Sequence, residues 1–188
     1  PPSGGVPDGN KVIAKVGLVS TATAGFTNGD FKDYTYGIFA DQDFFMRVRD
    51  LDLDTTPGRD TVKVKVTSQY RPKKEDSLDR GVDFNDDQPL KIRDTKEYTL
   101  TETAPRSGVF VGTGKTKLVD SESELIDESE LKGPALIVEK DDIVVLEYID
   151  EKHIAGSEPV ERIGKANILT GKMADVVVEH RQVDDAEL

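Results

Sequence analysis

The stretch of residues 44–68 constrains the fold more than any other part of this chain. Residues 61–68 alternate between polar and apolar side chains, which predicts a β-strand with one buried face and one face in water. Residues 44–49 predict a second strand, because apolar side chains recur there at every second position. The next three positions of the same parity are carboxylates: Asp50, Asp52 and Asp54. Unpaired carboxylates cannot continue into an apolar core, so we expect a bend or bulge at residues 49–51 that turns them outward.

The rest of the chain predicts many short strands and few helices. Predicted strands occupy residues 11–20, 34–40, 44–49, 61–68, 97–103, 108–118, 135–139, 142–149, 161–170 and 174–183. Residues 21–33 are small and polar and predict a connection, whereas residues 120–132 predict a short acidic helix. Phe110 lies between two valines of a predicted strand and is expected in the core. This pattern favours an all-β fold, a β-sandwich with strands added to a seven-stranded core.

A single domain is expected to account for most of the 188 residues, a length that can bury a sizeable core. Residues 1–10 are rich in proline and glycine and predict an arm. The sandwich is expected over residues 11–183, with a long charged insertion at residues 69–96 and an acidic tail at residues 184–188. The sequence starts at Pro1 without a methionine, as expected for a processed or excised chain, for example after removal of a signal peptide.

Composition narrows the classes of function. A net charge of −12 argues against nucleic-acid binding, which needs clustered lysine and arginine to contact phosphates. No apolar run approaches the length of a transmembrane helix, so membrane insertion is not expected. Cysteine is absent, which excludes disulfides, thiol catalysis and thiolate metal sites.

The sequence contains no motif that favours an enzyme. Residues 112–116 (Gly-Thr-Gly-Lys-Thr) resemble a phosphate-binding loop, but the first glycine of that motif is replaced by Val109. His153 and His180 are the only imidazoles, and neither stands in a pattern that indicates nucleophilic catalysis. Surface histidines are the simpler interpretation.

Three parts of the sequence, taken in order, carry a resemblance to a known family. They are residues 47–54 with 60–64 (RVRDLDLD and DTVKV), residues 98–112 (YTLTETAPRSGVFVG) and residues 140–150 (KDDIVVLEYID). This order resembles an immunoglobulin-like module found, often in tandem, in bacterial and archaeal cell-surface proteins such as surface-layer proteins and adhesins. The resemblance spans about residues 35–150 and implies an immunoglobulin-like antiparallel β-sandwich. It departs from the family at Lys140 or Asp141, where the module has glycine, and in the insertion at residues 69–96.

The acidic end of the predicted strand suggests calcium. Alternating aspartates supply the oxygen ligands that Ca²⁺ prefers, although the twelfth position of the run is Thr61 and not the glutamate of an EF-hand loop. A site in a sandwich would need carboxylates from neighbouring loops as well. The predicted ligand set is Asp50, Asp52, Asp54, Asp60 and Asp150. A solvated acidic strand end without metal is the alternative.

These observations predict a secreted or cell-surface structural protein without enzymatic activity. We expect it to self-assemble with copies of itself into a surface layer or filament, by strand pairing between subunits and with calcium. The arm at residues 1–10 and the apolar segment at residues 174–178 are the candidate pairing segments. The alternative is an adhesin or a carbohydrate- or protein-binding module of a larger surface protein, with residues 69–96 as its contact surface.

Overall fold

The computed structural model of the chain describes residues 20–71, 89–119, 133–156 and 158–171. Strands and one short 3₁₀ helix at Leu51–Leu53 make up its regular structure. The strands are β1 (Thr23–Thr27), β2 (Gly37–Phe39), β3 (Asp43–Arg49), β4 (Thr61–Tyr70), β5 (Lys91–Glu102), β6 (Val109–Leu118), β7 (Leu136–Val138), β8 (Ile143–Asp150) and β9 (Val160–Leu169). Outside the described residues lie the arm, the acidic tail, residues 72–88 of the insertion, the predicted helix and nearly all of the first and last predicted strands.

The nine strands form one mixed sheet in the order β1-β3-β6-β5-β4-β8-β9-β2, with β7 joined to β6. Neighbours are antiparallel except for the parallel pairs β2–β9 and β6–β7. The sheet curls until β1 meets β9 near its opposite end. At that crossing a Cβ on Gly164 would lie 2.5 Å from the Cα of Gly25, so only glycine allows the two backbones to approach so closely.

The all-β prediction is confirmed, but the immunoglobulin-like antiparallel sandwich is not. Instead of two stacked antiparallel sheets, the hydrogen bonding describes a curled half-barrel that includes two parallel pairs. The strand β1 lies within residues 21–33, where a polar connection was predicted, so that prediction is wrong. The small residues there give no clear alternation, so the sequence did not indicate a strand. Phe26, which is 1% exposed, is the large side chain that packs β1 into the core.

The core lies on the concave face of the sheet, and the alternation seen in the sequence determines it. Val62, Val64 and Val66 of β4 are buried while the residues between them are exposed. Phe110 is fully buried, as predicted. Aromatic side chains pack edge to face in the centre of this core, where the Phe44 ring contacts the rings of Phe26 and Tyr98. Such pairs contribute about 0.5–1.5 kcal/mol beyond their buried area.

The chain bends after β3 as predicted, because the 3₁₀ helix at Leu51–Leu53 follows directly. The bend does not turn all three carboxylates outward. Asp52 and Asp54 are half-buried, but Asp50 remains in the protein interior with 2% of its surface exposed. The prediction is therefore wrong for Asp50, because partners from a distant strand allow its burial.

The short strand β7 fills a gap in the sheet. β5 and β6 pair only at Thr101–Val111 and Glu102–Phe110, and then separate. Beyond that point β7 pairs with β6 and is fully buried. Its other side is held by side chains: the Ile137 amide donates to Asp94 at 3.0 Å, and the Ser68 hydroxyl donates to the Ile137 carbonyl at 2.6 Å. The backbone polar groups on both edges of β7 thus have hydrogen-bond partners, which allows this buried strand to lie between β5 and β6.

Candidate functional site

The acidic side chains predicted as ligands lie at the end of the half-barrel where β3 and β8 finish and β4 starts. Asp50 extends the inward-facing row of β3 into this end. Its Oδ2 accepts a hydrogen bond of 2.6 Å from the Tyr148 hydroxyl, and its Oδ1 accepts one of 2.9 Å from the Asp52 amide. Asp50 thus caps the 3₁₀ helix and connects β3 to β8.

Asp150 occupies the corresponding inward position at the end of β8 and is fully buried. Its Oδ2 accepts hydrogen bonds from the Ala22 amide at 3.0 Å and from Arg162 Nε and Nη2 at 2.9 and 2.7 Å. The guanidinium balances the charge that burial would otherwise make costly. Its Oδ1 has no hydrogen-bond partner within the described part of the chain.

Asp52 binds Ser20, the first residue that the structure describes, through two hydrogen bonds. Its Oδ2 accepts from the Ser20 amide at 2.8 Å and from the Ser20 hydroxyl at 3.1 Å. Together with the Ala22–Asp150 bond, this contact fixes residues 20–22 across the acidic end of the half-barrel. Asp50, Asp52 and Asp150 therefore connect separate parts of the chain at this end of the half-barrel.

Asp54 and Asp60 are the two predicted ligands that come together, and Glu102 joins them. One carboxylate oxygen from each of the three lies within 4.8 Å of the other two, a spacing that one cation could bridge. Within the described ranges this is the only group of three or more carboxylate or imidazole side chains with such geometry. Asp50, Asp52 and Asp150 do not belong to it.

Asp60 and Glu102 already accept hydrogen bonds from the surrounding loops. Asp60 accepts from the Thr55 and Thr56 amides at 2.9 and 3.0 Å and from the Thr56 hydroxyl at 2.8 Å. Glu102 accepts from the Gly108 amide at 2.7 Å and from the Asp60 amide at 3.2 Å. A carboxylate offers about four acceptor positions, so each group retains room for a cation.

Hydrogen bonding also determines the ionisation of these two carboxyls. The pKa of Asp60 lies below its ordinary value, chiefly because the Thr55 amide, and then Thr56, stabilise the carboxylate. Burial acts to raise the pKa of Glu102, but hydrogen bonds from Gly108, Asp60 and Ser107 outweigh it, and the net pKa is lowered. Both groups are therefore anionic at neutral pH, as cation binding requires.

Sequence reasoning missed Glu102, although the segment Thr-Glu-Thr-Ala-Pro-Arg-Ser-Gly contains the signal. The turn after β5 uses left-handed backbone at Arg106 and Gly108, with φ of +65° and +59°. A Cβ at position 108 would lie 2.9 Å from Leu51 Cα, so glycine is required there. The Glu102 carboxylate stabilises this turn through the Gly108 amide, which explains a glutamate six residues before the glycine.

Other polar groups near this end serve the fold. Burial, and then the hydrogen bond to Asp50, raise the pKa of the Tyr148 hydroxyl well above its ordinary value, so it stays a neutral donor. His153 is nearly buried; its Nδ1 accepts from the Ala155 amide at 3.2 Å, which leaves Nε2 to donate to the Glu158 carbonyl at 2.7 Å. His180 lies outside the described residues.

Comparison with known proteins adds no family to this description. No protein-family model matches the chain, and no curated protein shows significant similarity to it. Among the residues that the structure describes, no helix has the length and apolar character needed to cross a membrane. The function has to be argued from the side chains and strand edges themselves.

Proposed function

We propose that this chain is an extracellular structural protein that self-assembles into a cell-surface layer or filament. The observation that supports this most is an open strand edge next to exposed apolar side chains. Among the described residues, the first part of β9 pairs only with β8. On the side away from β3, β1 makes a bridge between Thr27 and Tyr34, and its Phe26 carbonyl accepts from the Thr35 amide at 3.0 Å. Unpaired strand edges bind further strands through their backbone amides and carbonyls.

The apolar side chains beside this edge form one patch. Tyr34, Tyr36 and Ile163 line a shallow groove between β1 and β9, and their exposed fractions are 43%, 77% and 50%. Contiguous exposed apolar surface next to polar backbone is typical of protein–protein contacts. An added strand would gain affinity from the backbone and register from these side chains.

Calcium is the proposed cofactor of this assembly, with Asp54, Asp60 and Glu102 as ligands from the protein. Ca²⁺ takes six to eight oxygens, so water or a neighbouring subunit would complete the shell. Its charge would neutralise carboxylates that otherwise repel one another in a chain of net charge −12. The predicted set of five aspartates is narrowed to Asp54 and Asp60, because among the described residues only these two have a carboxylate oxygen within 4.8 Å of each other and of one on Glu102.

Light scattering coupled to size-exclusion chromatography tests this proposal in calcium and then in a chelator. We expect masses well above the 20.7 kDa of one chain, and a decrease on chelation. Ile163→Lys should reduce the mass towards the monomer by placing a charge in the patch. Ile92→Lys is the matched control, because Ile92 is 59% exposed on β5, away from the groove.

Each outcome has a distinct meaning. Assemblies that ignore the chelator would refute the calcium part alone. Assemblies unaffected by Ile163→Lys would place the contact elsewhere. A wild-type monomer in both buffers would refute self-assembly and favour the adhesin or binding-module alternative.

A further inference from the structure

The outer face of the half-barrel carries two neighbouring arginines of β3. Every second residue of β3 is buried, and Arg47 and Arg49 occupy the alternate positions, so both side chains lie on the face away from the core. On the adjacent strand β1, Thr23 pairs with Arg49 and Gly25 pairs with Arg47. The Cβ atoms of directly paired residues lie about 4.5–5.5 Å apart, so Thr23 is a close neighbour of the Arg49 side chain.

The Tyr34 side chain lies over these two strands. A Cβ on Gly25 would be 2.9 Å from the nearest atom of the Tyr34 ring, so the ring rests on the glycine. The Tyr34 hydroxyl donates a hydrogen bond of 3.3 Å to the Thr23 hydroxyl. Because Thr23 Oγ1 accepts this bond, the Thr23 hydroxyl proton can be donated to a further acceptor. We call Thr23, Tyr34, Arg47 and Arg49 the arginine–hydroxyl site.

Arg47 is held by groups that leave its positive charge in place. Its Nη1 donates to the carbonyls of Phe31 and Lys32 at 2.7 and 2.6 Å. Its guanidinium carbon also lies 4.5 Å from the centre of the Tyr34 ring. Carbonyls and aromatic rings carry no net charge, so these contacts orient the guanidinium without neutralising it. Arg49, which is exposed at the end of β3, adds a second positive charge to the same face.

The charges of the two arginines act on the Tyr34 hydroxyl. Burial acts to raise the pKa of this hydroxyl, but hydrogen bonds with Thr23 and Arg47 and the charges of both arginines outweigh it, and the net pKa is lowered. Negative charge is therefore stabilised at this position. The same two arginines would stabilise a carboxylate that lies beside the hydroxyl.

We propose that the arginine–hydroxyl site binds a carboxylate of a second copy of this chain, an inference that rests on the self-assembly proposed above. The exposed guanidinium of Arg49 can donate two parallel hydrogen bonds to the carboxylate, and the Thr23 hydroxyl supplies a third. Arg47 contributes its charge from a fixed position. A carboxylate has about four acceptor positions, so it can accept from all of these donors at once.

Position and charge both favour a second copy as the source of the carboxylate. Thr23 and Tyr34 also line the groove between β1 and β9, so a copy that contacts the groove reaches the site as well. Each copy has 37 acidic and 25 basic residues, and the net charge of −12 makes copies repel one another. A cationic site at the edge of the contact replaces this repulsion with a local attraction and sets the orientation of the neighbour.

The proposed contact joins two unlike surfaces, a cationic site on one copy and a carboxylate on the next. Such heterologous contacts repeat from copy to copy and generate rings or open filaments. We therefore expect the arginine–hydroxyl site to favour assemblies with masses above that of a dimer.

Charge variants of the full-length chain test this inference by light scattering over a range of protein concentrations. Arg49→Gln removes the charged donor and should weaken association about threefold, as expected for an exposed ion pair. Arg49→Glu should weaken association about tenfold or more, because like charges then face each other. Lys91→Glu is the matched control, since it makes the same change in net charge at an exposed residue of β5 outside the groove, and it should leave association unchanged.

A competing peptide tests the chemistry of the site directly. At equal ionic strength, tetraglutamate should lower the mass of wild-type assemblies, whereas tetraglutamine should not. In NMR spectra of dilute protein, the Nε–H signal of Arg49 should shift with tetraglutamate and stay in place with tetraglutamine.

The outcomes separate this inference from the proposed function. Assemblies that are disrupted by Ile163→Lys but not by Arg49→Glu or tetraglutamate would refute the arginine–hydroxyl site and leave self-assembly standing. Equal weakening by Arg49→Glu and Lys91→Glu would also refute the site, because net charge alone would then explain the effect. A wild-type monomer would refute both self-assembly and a second copy as the ligand. A shift of the Arg49 signal in that monomer would assign the carboxylate to another partner, and no shift would refute the site altogether.

Discussion

Removing the Tyr148 hydroxyl should destabilise the protein although it leaves the shape of the core intact. The hydroxyl donates to Asp50 at 2.6 Å, and the two residues are 4% and 2% exposed. Tyr148→Phe keeps the ring but leaves a buried carboxylate oxygen without its donor. Hydrogen bonds to charged groups are worth about 1.5–3 kcal/mol, so we expect a loss of about 2 kcal/mol in the free energy of unfolding.

Urea unfolding at neutral pH measures this loss, and thermal unfolding should show the midpoint lowered by about 4–8 °C for a domain of this size. Tyr36→Phe is the matched control, because Tyr36 is 77% exposed, and it should change stability by less than about 0.5 kcal/mol. A double-mutant cycle with Asp50→Ala separates the pair from other effects, since Asp50 also accepts from Asp52. A cost below about 0.5 kcal/mol for Tyr148→Phe, or additive single mutants, would refute the assignment of this bond as stabilising.

Three further changes test other parts of the structure. Arg162→Met leaves Asp150 buried without its cation and should lower the free energy of unfolding, measured in urea, by about 2–3 kcal/mol. The loss should be smaller than for a fully buried ion pair because Arg162 is partly exposed, and an unchanged stability would contradict this expectation. Gly164→Ala places a methyl group 2.5 Å from backbone and should cost about 3 kcal/mol or more, whereas Gly29→Ala, with ordinary contacts at 3.5 Å, should be tolerated in the same thermal assay. The lowered pKa of Glu102 means that its contribution to stability is full above its ordinary value of 4.5 and is lost as pH falls through the folded-state pKa. Glu102→Gln should therefore be less stable than wild type at pH 7, and the difference should shrink below about pH 4.5; a difference independent of pH would count against the carboxylate as the stabilising species.

Local patterns predicted most strands because burial on one face requires alternation. β4 starts at Thr61 as expected, and β7 at Leu136–Val138 lies within the apolar run predicted as a strand. β1 escaped prediction because its small residues lack a strong pattern; the contact between Gly25 and Gly164, which requires them, is made by a strand far along the chain.

The site was less predictable, because its partners are distant in sequence. Asp50 can be buried only because Tyr148 lies opposite it, 98 residues later. Asp150 likewise depends on the amide of Ala22, 128 residues earlier. The spacing of the aspartates in the sequence could not distinguish these structural acids from Asp54 and Asp60, whose carboxylate oxygens lie within 4.8 Å of one on Glu102.

These long-range bonds also determine how the chain reaches its fold. Contacts that join residues 98 and 128 positions apart require large loops to close before they add stability, so folding should be slow, in the range of milliseconds to seconds. During that interval strand edges and apolar side chains stay exposed to other chains. Repulsion between chains of net charge −12 would keep such intermediates apart until the half-barrel closes. The acidity of this sequence thus opposes aggregation while the chain is folding.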